Sequence, residues 1–165
     1  MISEESPKGL HLSKTQDSGV RSVYTSKNGN SIISENKFPT REEADNIAAL
    51  KTFADKGDTV VLLRTSDQKG ARTADSTING VLWEVKTNIE PTSSAIDSAL
   101  HSSNGQAKNL IINVVSGITD ARLLKGLKER IKRTRLEKIV IERKGVIVKT
   151  YLRKDLLGKK KNKQN

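Results

Sequence analysis

The spacing of apolar residues predicts a helix over residues 40–56. Its apolar residues recur three or four positions apart, which places them on one side of a helix; they are Ile47, Leu50, Phe53 and Ala54. Thr40 can cap the amino end, Glu43 completes a capping box with Thr40, and Gly57 ends the helix.

Two further helices and several strands follow from the same kind of pattern. Ser93 or Ser94 can cap a short helix, and Thr119 or Asp120 caps a longer one. Short apolar runs bounded by turn residues predict strands, which cover 20–24, 31–34, 58–64, 109–115, 138–142 and 146–151. The alternation of helices with strands and hairpins predicts an α/β fold, with a mixed central sheet flanked by helices.

The stretch 73–87 carries the candidate chemistry. Asn79-Gly80 lies between two runs rich in Val, Ile, Thr and Trp, which is the strongest local signal for a two-residue β-hairpin turn. Such a turn fixes a register that pairs Ile78 with Val81, Thr77 with Leu82, Ser76 with Trp83 and Asp75 with Glu84. One face of the hairpin is then a core surface, and the other carries Asp75, Glu84 and Lys86.

The charged face of this hairpin predicts a metal site. Asp75 and Glu84 would lie opposite each other with their Cβ atoms roughly 5 Å apart, where like charges repel unless a cation lies between them. Two converging carboxylates form a hard-oxygen site suited to Mg²⁺ or Mn²⁺. Lys86 can orient an attacking water or neutralise charge that develops on a phosphate.

These acidic residues also have ordinary explanations. A solvent-exposed hairpin face that carries Asp, Glu and Lys is common, and an isolated Glu-x-Lys has little specificity. Glu43 lies one turn before Ile47 on the inward side of its helix. It is either only the capping-box partner of Thr40 or a carboxylate directed at the site from the neighbouring helix.

Composition narrows the classes of function. The chain has 165 residues, no cysteine and 2 histidines, so disulfides and thiolate metal sites are excluded and a histidine-ligated zinc site is disfavoured. Metal binding would therefore have to use carboxylates. No run approaches the roughly 18 apolar residues of a membrane span, and we expect neither a membrane span nor a signal peptide.

The net charge of +11 is unevenly distributed. Residues 121–165 contain 17 Lys/Arg and 4 Asp/Glu, whereas the rest of the chain contains 13 and 15. This asymmetry suggests a polyanion as partner, with nucleic acid first, an acidic protein second and a membrane surface third. A charged helix face is most often only solvated, but the basic excess after Thr119 favours contact with phosphates. The candidate nucleic-acid-binding residues are Lys125, Lys128, Arg130, Lys132, Arg133 and Arg135.

We expect one folded domain over residues 19–152. Residues 1–18 show no hydrophobic periodicity and are predicted to be a flexible leader. Residues 153–165 are predicted to be a basic, disordered tail, which would add sequence-independent affinity for a polyanion.

The order of the elements resembles the core of the PD-(D/E)XK nuclease superfamily. The motif matches Asp75 and Glu84-Val85-Lys86, with Ala74 in the position of the proline in the motif name. The resemblance implies that Asp75, Glu84 and the backbone carbonyl of Val85 hold one or two divalent ions, and that Lys86 positions the nucleophilic water.

Residues 40–150 are also similar to the C-terminal toxin nuclease domain of contact-dependent growth inhibition (CdiA-type) proteins, in the branch that cleaves tRNA. By this resemblance Glu43 is the first-helix acid, and Gln106 either steadies the substrate or Lys86 or is an exposed turn residue. The residues that carry the similarity are Glu43, Ile47, Ala48, Val60 to Leu63, Asp75, Ile78 to Gly80, Trp83 to Thr87, Ser93, Ser94, Gln106 and Asn109 to Ile112.

Together these expectations predict that the protein is a metal-dependent toxin ribonuclease that cleaves tRNA. By resemblance, such a toxin is delivered as the tail of a larger secreted or cell-surface protein, acts in the cytoplasm of the target bacterium and is silenced by a dedicated immunity protein. One alternative is a DNA endonuclease on the same fold, because no aromatic residues in the sequence are arranged to favour RNA over DNA. Another is a non-catalytic basic module whose acidic partner covers residues 121–165.

Overall fold

A computed structural model describes residues 20–65 and 74–158 of the chain. Within these ranges it contains eight strands and four helices. The strands are β1 (Arg21–Thr25), β2 (Ser31–Ser34), β3 (Val60–Leu62), β4 (Ser76–Ile78), β5 (Val81–Asn88), β6 (Asn109–Val114), β7 (Lys138–Arg143) and β8 (Val146–Leu152). The helices are α1 (Arg41–Asp55), α2 (Ser93–Ser103), α3 (Asp120–Ile131) and α4 (Arg153–Leu157).

The described strands form one mixed sheet in chain order, from β1 at one edge to β8 at the other. Strand β6 runs parallel to β5 on one side and to β7 on the other, because α2 and α3 provide the crossover connections. The hairpins β1–β2, β4–β5 and β7–β8 are antiparallel. The predicted α/β class and mixed sheet are confirmed.

Strand β6 separates two hydrophobic cores, one on each face of the sheet. Leu110 and Ile112 pack against α2 and α3, whereas Ile111 packs in the second core together with α1. All three side chains are fully buried. A strand covered on both faces reads as a continuous apolar run, which is how residues 109–115 stand out in the sequence.

Threonine side chains cap the three long helices of the described chain. The hydroxyls of Thr40, Thr92 and Thr119 accept from the backbone N–H three residues later, at 3.2, 3.1 and 3.3 Å. The capping roles of Thr40 and Thr119 are confirmed. For α2, the cap is Thr92 rather than the expected Ser93 or Ser94, both of which lie inside the helix.

The carboxyl end of the folded domain lies later than predicted. Residues 153–157, expected to begin a disordered tail, form α4, and Leu156 is buried in the core. The guanidinium of Arg153 holds this helix in place by donating to the carbonyls of Ile131, Thr134 and Leu136 at 2.8–3.1 Å. The predicted leader (1–18) and the rest of the predicted tail (159–165) lie outside the described residues. None of the described helices has the length and hydrophobicity that crossing a membrane requires.

Candidate active site

The hairpin β4–β5 has the register that its Asn-Gly turn predicts. Both turn residues have positive φ, 51° at Asn79 and 80° at Gly80, as a two-residue hairpin turn requires. Ser76 pairs with Trp83, Thr77 with Leu82 and Ile78 with Val81.

The turn is also fixed to the neighbouring strand. The backbone N–H of Asn79 donates to Thr59, and the side chain of Asn79 bonds the N–H of Thr59 and the carboxylate of Asp58. Because these contacts leave no freedom for a shifted pairing, the positions of the acidic residues farther along the hairpin are determined by the turn.

Asp75 and Glu84 lie next to each other beyond the last regular pair of the hairpin. One oxygen of Asp75, Oδ2, accepts from the backbone N–H of Val85 at 2.8 Å. Glu84 is only 2% exposed. Its Oε1 lies 3.8 Å from Nζ of Lys86, while its Oε2 has no hydrogen-bond partner among the described residues.

The surroundings of Glu84 disfavour its charged form. Burial is the main cause, the carboxyl group of Asp75 adds to it, and Lys86 opposes it; together they raise the pKa of Glu84 to about 9. A carboxyl group that is buried against a second carboxyl group retains a proton at neutral pH. Glu84 is therefore unlike the solvent-exposed acid that an ordinary hairpin face would carry.

Asp75, Glu84 and Lys86 line an open cleft of about 480 Å³. The same cleft is lined by Glu43 from α1 and by Gln106 from the loop that follows α2. The structure thus brings together all five residues that the sequence nominated as a catalytic group. Val85, the residue whose carbonyl was nominated as a further metal ligand, also lines it.

Glu43 is held by contacts that the sequence did not reveal. Its backbone N–H donates to Thr40, as expected, but its carboxylate does not turn back to complete the capping box. Both carboxylate oxygens instead accept from Nη2 of Arg21, at 2.9 and 3.0 Å, and Oε2 also accepts from the hydroxyl of Ser34 at 3.0 Å. The ion pair directs this buried carboxylate toward the β1–β2 hairpin at the rim of the cleft.

Gln106 reaches the cleft from the loop after α2. Its Nε2 donates to the backbone carbonyl of Ser102 at 2.9 Å, within the end of α2. This bond fixes the amide group, so that the oxygen is the end of the side chain left to act as an acceptor.

The sequence analysis missed several polar residues in and around the site, four of which carry charge or hold Glu43. Arg21 and Ser34 hold Glu43, while Glu42 and Asp45 add two exposed carboxylates to the lining. No local signal could have identified Arg21, because it lies 22 residues before its partner. Glu42 and Asp45 could have been found from their position on the first turns of α1, next to Glu43.

The basic residues of α3 and the loop after it are mostly exposed. Among the six predicted nucleic-acid-binding residues, Arg130 differs because its guanidinium forms two 3.0 Å bonds with Asp97 of α2. These bonds lower the pKa of Asp97 and occupy the Arg130 side chain. The exposed members of the set are Lys125, Lys128, Lys132, Arg133 and Arg135.

The donor atoms of the cleft suit a hard divalent cation. The carboxylates of Asp75 and Glu84 adjoin, and Glu84 Oε2 is a buried oxygen without a partner in the described chain. No cluster of three or more acidic, histidine or cysteine ligands occurs in the described ranges. Mg²⁺ is commonly held by one or two carboxylates, with waters and substrate phosphate completing its shell, so this small set of ligands fits such an ion.

Among curated proteins, none matches this chain. One solved structure, a CdiA-CT/CdiI toxin and immunity complex from Burkholderia pseudomallei, superposes with a TM-score of 0.48 at 22% identity, over 70% of this chain and 89% of that chain. Residues 72–147, which include the β4–β5 hairpin, match the family model of the contact-dependent growth inhibition CdiA C-terminal domain.

Proposed function

We propose that this chain is a divalent-metal-dependent toxin nuclease with a PD-(D/E)XK core, and that it acts as an endoribonuclease on tRNA. The observation that carries the proposal is the pairing of Asp75 with the buried Glu84, beside Lys86, in an open cleft. The family match over residues 72–147 supports the toxin assignment. On the same basis we propose delivery into the cytoplasm of a target bacterium as the tail of a larger protein, and a cognate immunity protein as partner.

The residues of the cleft would have separate roles in phosphodiester hydrolysis. Mg²⁺ or Mn²⁺, held by Asp75, Glu84 and the carbonyl of Val85, would supply positive charge for the phosphate oxygens. Lys86, whose ammonium is partly exposed and 3.8 Å from Glu84 Oε1, orients the attacking water or donates to the phosphate. Gln106 steadies the substrate or Lys86 from the loop after α2.

The charge of the cleft supports the proposed requirement for a cation. Five carboxyl groups line it, of which Glu84 holds a proton and Glu43 is paired with Arg21, and Lys86 is the single basic side chain in the described part of the lining. A phosphodiester would be repelled by such a surface unless a divalent ion were bound there first. Affinity for the nucleic-acid backbone comes from elsewhere, namely from the exposed lysines and arginines of α3 and from the β7–β8 hairpin.

The test is a cleavage assay on total RNA, purified tRNA and plasmid DNA in parallel, with Mg²⁺, with Mn²⁺ and with EDTA. We expect tRNA to be cut only when a divalent cation is present. Glu84→Ala and Lys86→Ala should abolish cleavage without unfolding the protein, whereas Glu137→Ala, which removes an exposed carboxylate outside the cleft, should cut at the parent rate. A Glu84→Ala protein that cuts tRNA as fast as the parent refutes the assignment.

The same assay separates the two alternatives. Cleavage of plasmid with intact tRNA would indicate a DNA endonuclease on this fold. Binding of nucleic acid that is insensitive to EDTA, with no cleavage of any substrate, would indicate a non-catalytic basic module.

A further inference from the structure

One aromatic side chain of this protein faces solvent. The chain has five aromatic residues, and all of them lie in the described ranges. Phe53 and Trp83 are buried, and the two tyrosines pack against the two cores. Phe38 is 71% exposed, which is unfavourable for a phenyl ring unless something covers it in the working state.

Phe38 lies on a loop that is tethered on both sides of the ring. Before it, the backbone of Asn36 accepts from Arg21 and its side chain accepts from the N–H of Thr65, at 2.8 and 3.1 Å. After it, Pro39 restricts the backbone of Phe38 to extended conformations, and Thr40 caps α1. The ring is thus presented to solvent from a segment anchored at both ends.

This loop forms part of the rim of the candidate active site. Asn36 and Thr40, two residues to either side of Phe38, both line the cleft. The ammonium of Lys37 lies 5.5 Å from the centre of the Phe38 ring. A flat apolar surface and a positive charge therefore occur together at the entrance to a cleft whose own lining is acidic.

We propose that Phe38 is a stacking platform for one unpaired base of the substrate, and that Lys37 contacts the phosphate next to that base. This inference rests on the proposed nuclease function and refines it, because it assigns the substrate to single-stranded or looped nucleic acid. Bases in a duplex are already stacked on their neighbours and cannot cover the ring. An unpaired base adjoining the scissile phosphate can stack on the ring while the phosphate enters the cleft.

The pairing of ring and ammonium favours a nucleotide over a protein as the occupant. A protein hot spot built around an aromatic residue is normally the centre of a larger apolar patch. Here the residues next to Phe38 in the chain are polar, charged or proline, namely Asn36, Lys37, Pro39 and Thr40, and the contact recorded for the ring is with the Lys37 ammonium. Stacking combined with phosphate attraction is the mode by which single strands are bound without sequence preference.

The proposal is tested by binding in EDTA, where cleavage does not interfere and where stacking on Phe38 and the Lys37 contact, both outside the acidic lining, remain available. In Phe38→Trp the new indole lies at the proposed platform, while the native Trp83 is only 7% exposed and serves as the internal background. We expect saturable quenching of the new fluorescence by a short single-stranded RNA, much weaker quenching by a duplex of the same sequence, and no comparable change in the parent protein.

Substitutions distinguish stacking from simple hydrophobicity. Phe38→Leu keeps an apolar side chain but removes the π face, so it should weaken single-strand binding about tenfold, whereas Phe38→Tyr should bind as the parent does. Val115→Ala, which truncates an exposed apolar residue just after β6, outside both the cleft and the proposed nucleic-acid-binding surface, is the matched control and should bind unchanged.

Two results would overturn the proposal: equal affinity of Phe38→Leu and the parent for single strands, or equal quenching by duplex and single strand. Equal affinity of Phe38→Leu and the parent would mean that a protein partner, and not a nucleotide, covers the ring. Because the assay needs neither metal nor turnover, a protein that fails to cut RNA but shows this binding pattern would refute the nuclease assignment and leave the platform standing.

Discussion

At the scale of single residues, Glu84 couples stability to pH. Its pKa is raised from 4.5 to about 9 in the fold, so between these values the folded protein holds a proton that the unfolded chain releases. Stability contributed by this group therefore falls as pH rises through that window. We expect Glu84→Gln, measured in EDTA, to raise the melting temperature by a margin that grows from pH 5 to pH 9, while cleavage is lost.

The pH series is what makes that prediction specific. A gain in melting temperature that is the same at every pH would mean that the substitution acts through packing and not through the titration of Glu84. Glu137→Gln, on an exposed carboxylate, should show no trend with pH.

Glu142 provides a second buried carboxyl group with a different pH window. It is fully buried on β7, neither of its carboxylate oxygens has a hydrogen-bond partner in the described chain, and burial raises its pKa to about 7 against the opposing effects of Thr52 and Lys56. Its contribution to stability falls between about pH 4.5 and 7 and is constant above that.

We expect Glu142→Gln to raise the melting temperature by a margin that grows up to pH 7 and then levels off. Cleavage should be unchanged, because Glu142 does not line the cleft. Measuring the melting temperatures of Glu142→Gln and Glu84→Gln at pH 7 and pH 9 distinguishes the two pH ranges, because only the margin of Glu84→Gln should still grow between these values. A margin that kept growing above pH 8 for Glu142→Gln would contradict the assignment.

At the scale of elements, α2 and α3 pack closely at one glycine. A Cβ atom on Gly126 would lie 2.5 Å from the backbone oxygen of Ser93 and 2.7 Å from Cβ of Ile96. Alanine in place of a helical glycine normally stabilises a protein by about 0.5–1 kcal/mol. Here we expect Gly126→Ala to destabilise by about 1–3 kcal/mol, because the two helices must move apart.

Denaturant unfolding measures this effect, with Gly117→Ala as the control. Gly117 has no neighbour within 4 Å of an added Cβ, so its substitution should be neutral or slightly stabilising. A Gly126→Ala protein as stable as the parent would show that the α2–α3 contact is looser than its geometry indicates.

Elements defined by local chemistry were predictable, and those defined by distant contacts were not. The Asn79-Gly80 turn fixed the β4–β5 register because the φ angles it requires are a property of two adjacent residues. The role of the Glu43 carboxylate was left open between a capping box and a group directed at the site, because its partner, Arg21, lies far away in the β1–β2 hairpin. Helix α4 was missed because it has only five residues and is held by Arg153, whose carbonyl partners precede it by 17–22 positions.

The residues of the candidate site likewise include some whose placement was predictable from local sequence and some whose environment was not. Asp75, Glu84 and Lys86 could be placed together from strand periodicity alone. The burial of Glu84 could not be predicted in this way, because it depends on how the rest of the chain covers that part of β5. The exposure of Phe38 was equally hidden, since an apolar residue beside a predicted helix is normally expected to pack against the core.

At the scale of the whole molecule, charge is separated between an acidic cleft and a basic surface on α3. Each phosphate contact made by a lysine adds about 0.9 to the slope of log affinity against log salt for duplex nucleic acid, and somewhat less for single strands. We expect the triple substitution Lys125→Gln, Lys128→Gln and Lys132→Gln to lower this slope by about 2–3 for tRNA and to weaken binding at low salt.

The matched control removes the same number of charges from another surface. Lys27, Lys51 and Lys56 are exposed on or near α1 and belong to neither the cleft nor α3. Replacing them with glutamine lowers the net charge equally, so an identical fall in slope for both triple variants would mean that net charge, and not the α3 surface, determines binding.

The Asn79-Gly80 turn, which sets the positions of Asp75 and Glu84, is also a site prone to asparagine deamidation. In an Asn-Gly pair the following backbone nitrogen attacks the side-chain amide with little steric hindrance, and the resulting succinimide opens to aspartate or isoaspartate. At Asn79 the side-chain amide now donates to the carboxylate of Asp58 at 2.9 Å. Either product puts a carboxylate in place of this amide, and the two negative charges repel each other. Isoaspartate also adds an atom to the main chain between the strands that carry Asp75 and Glu84, so preparations stored at alkaline pH are expected to lose the alignment of these strands while the two cores stay intact.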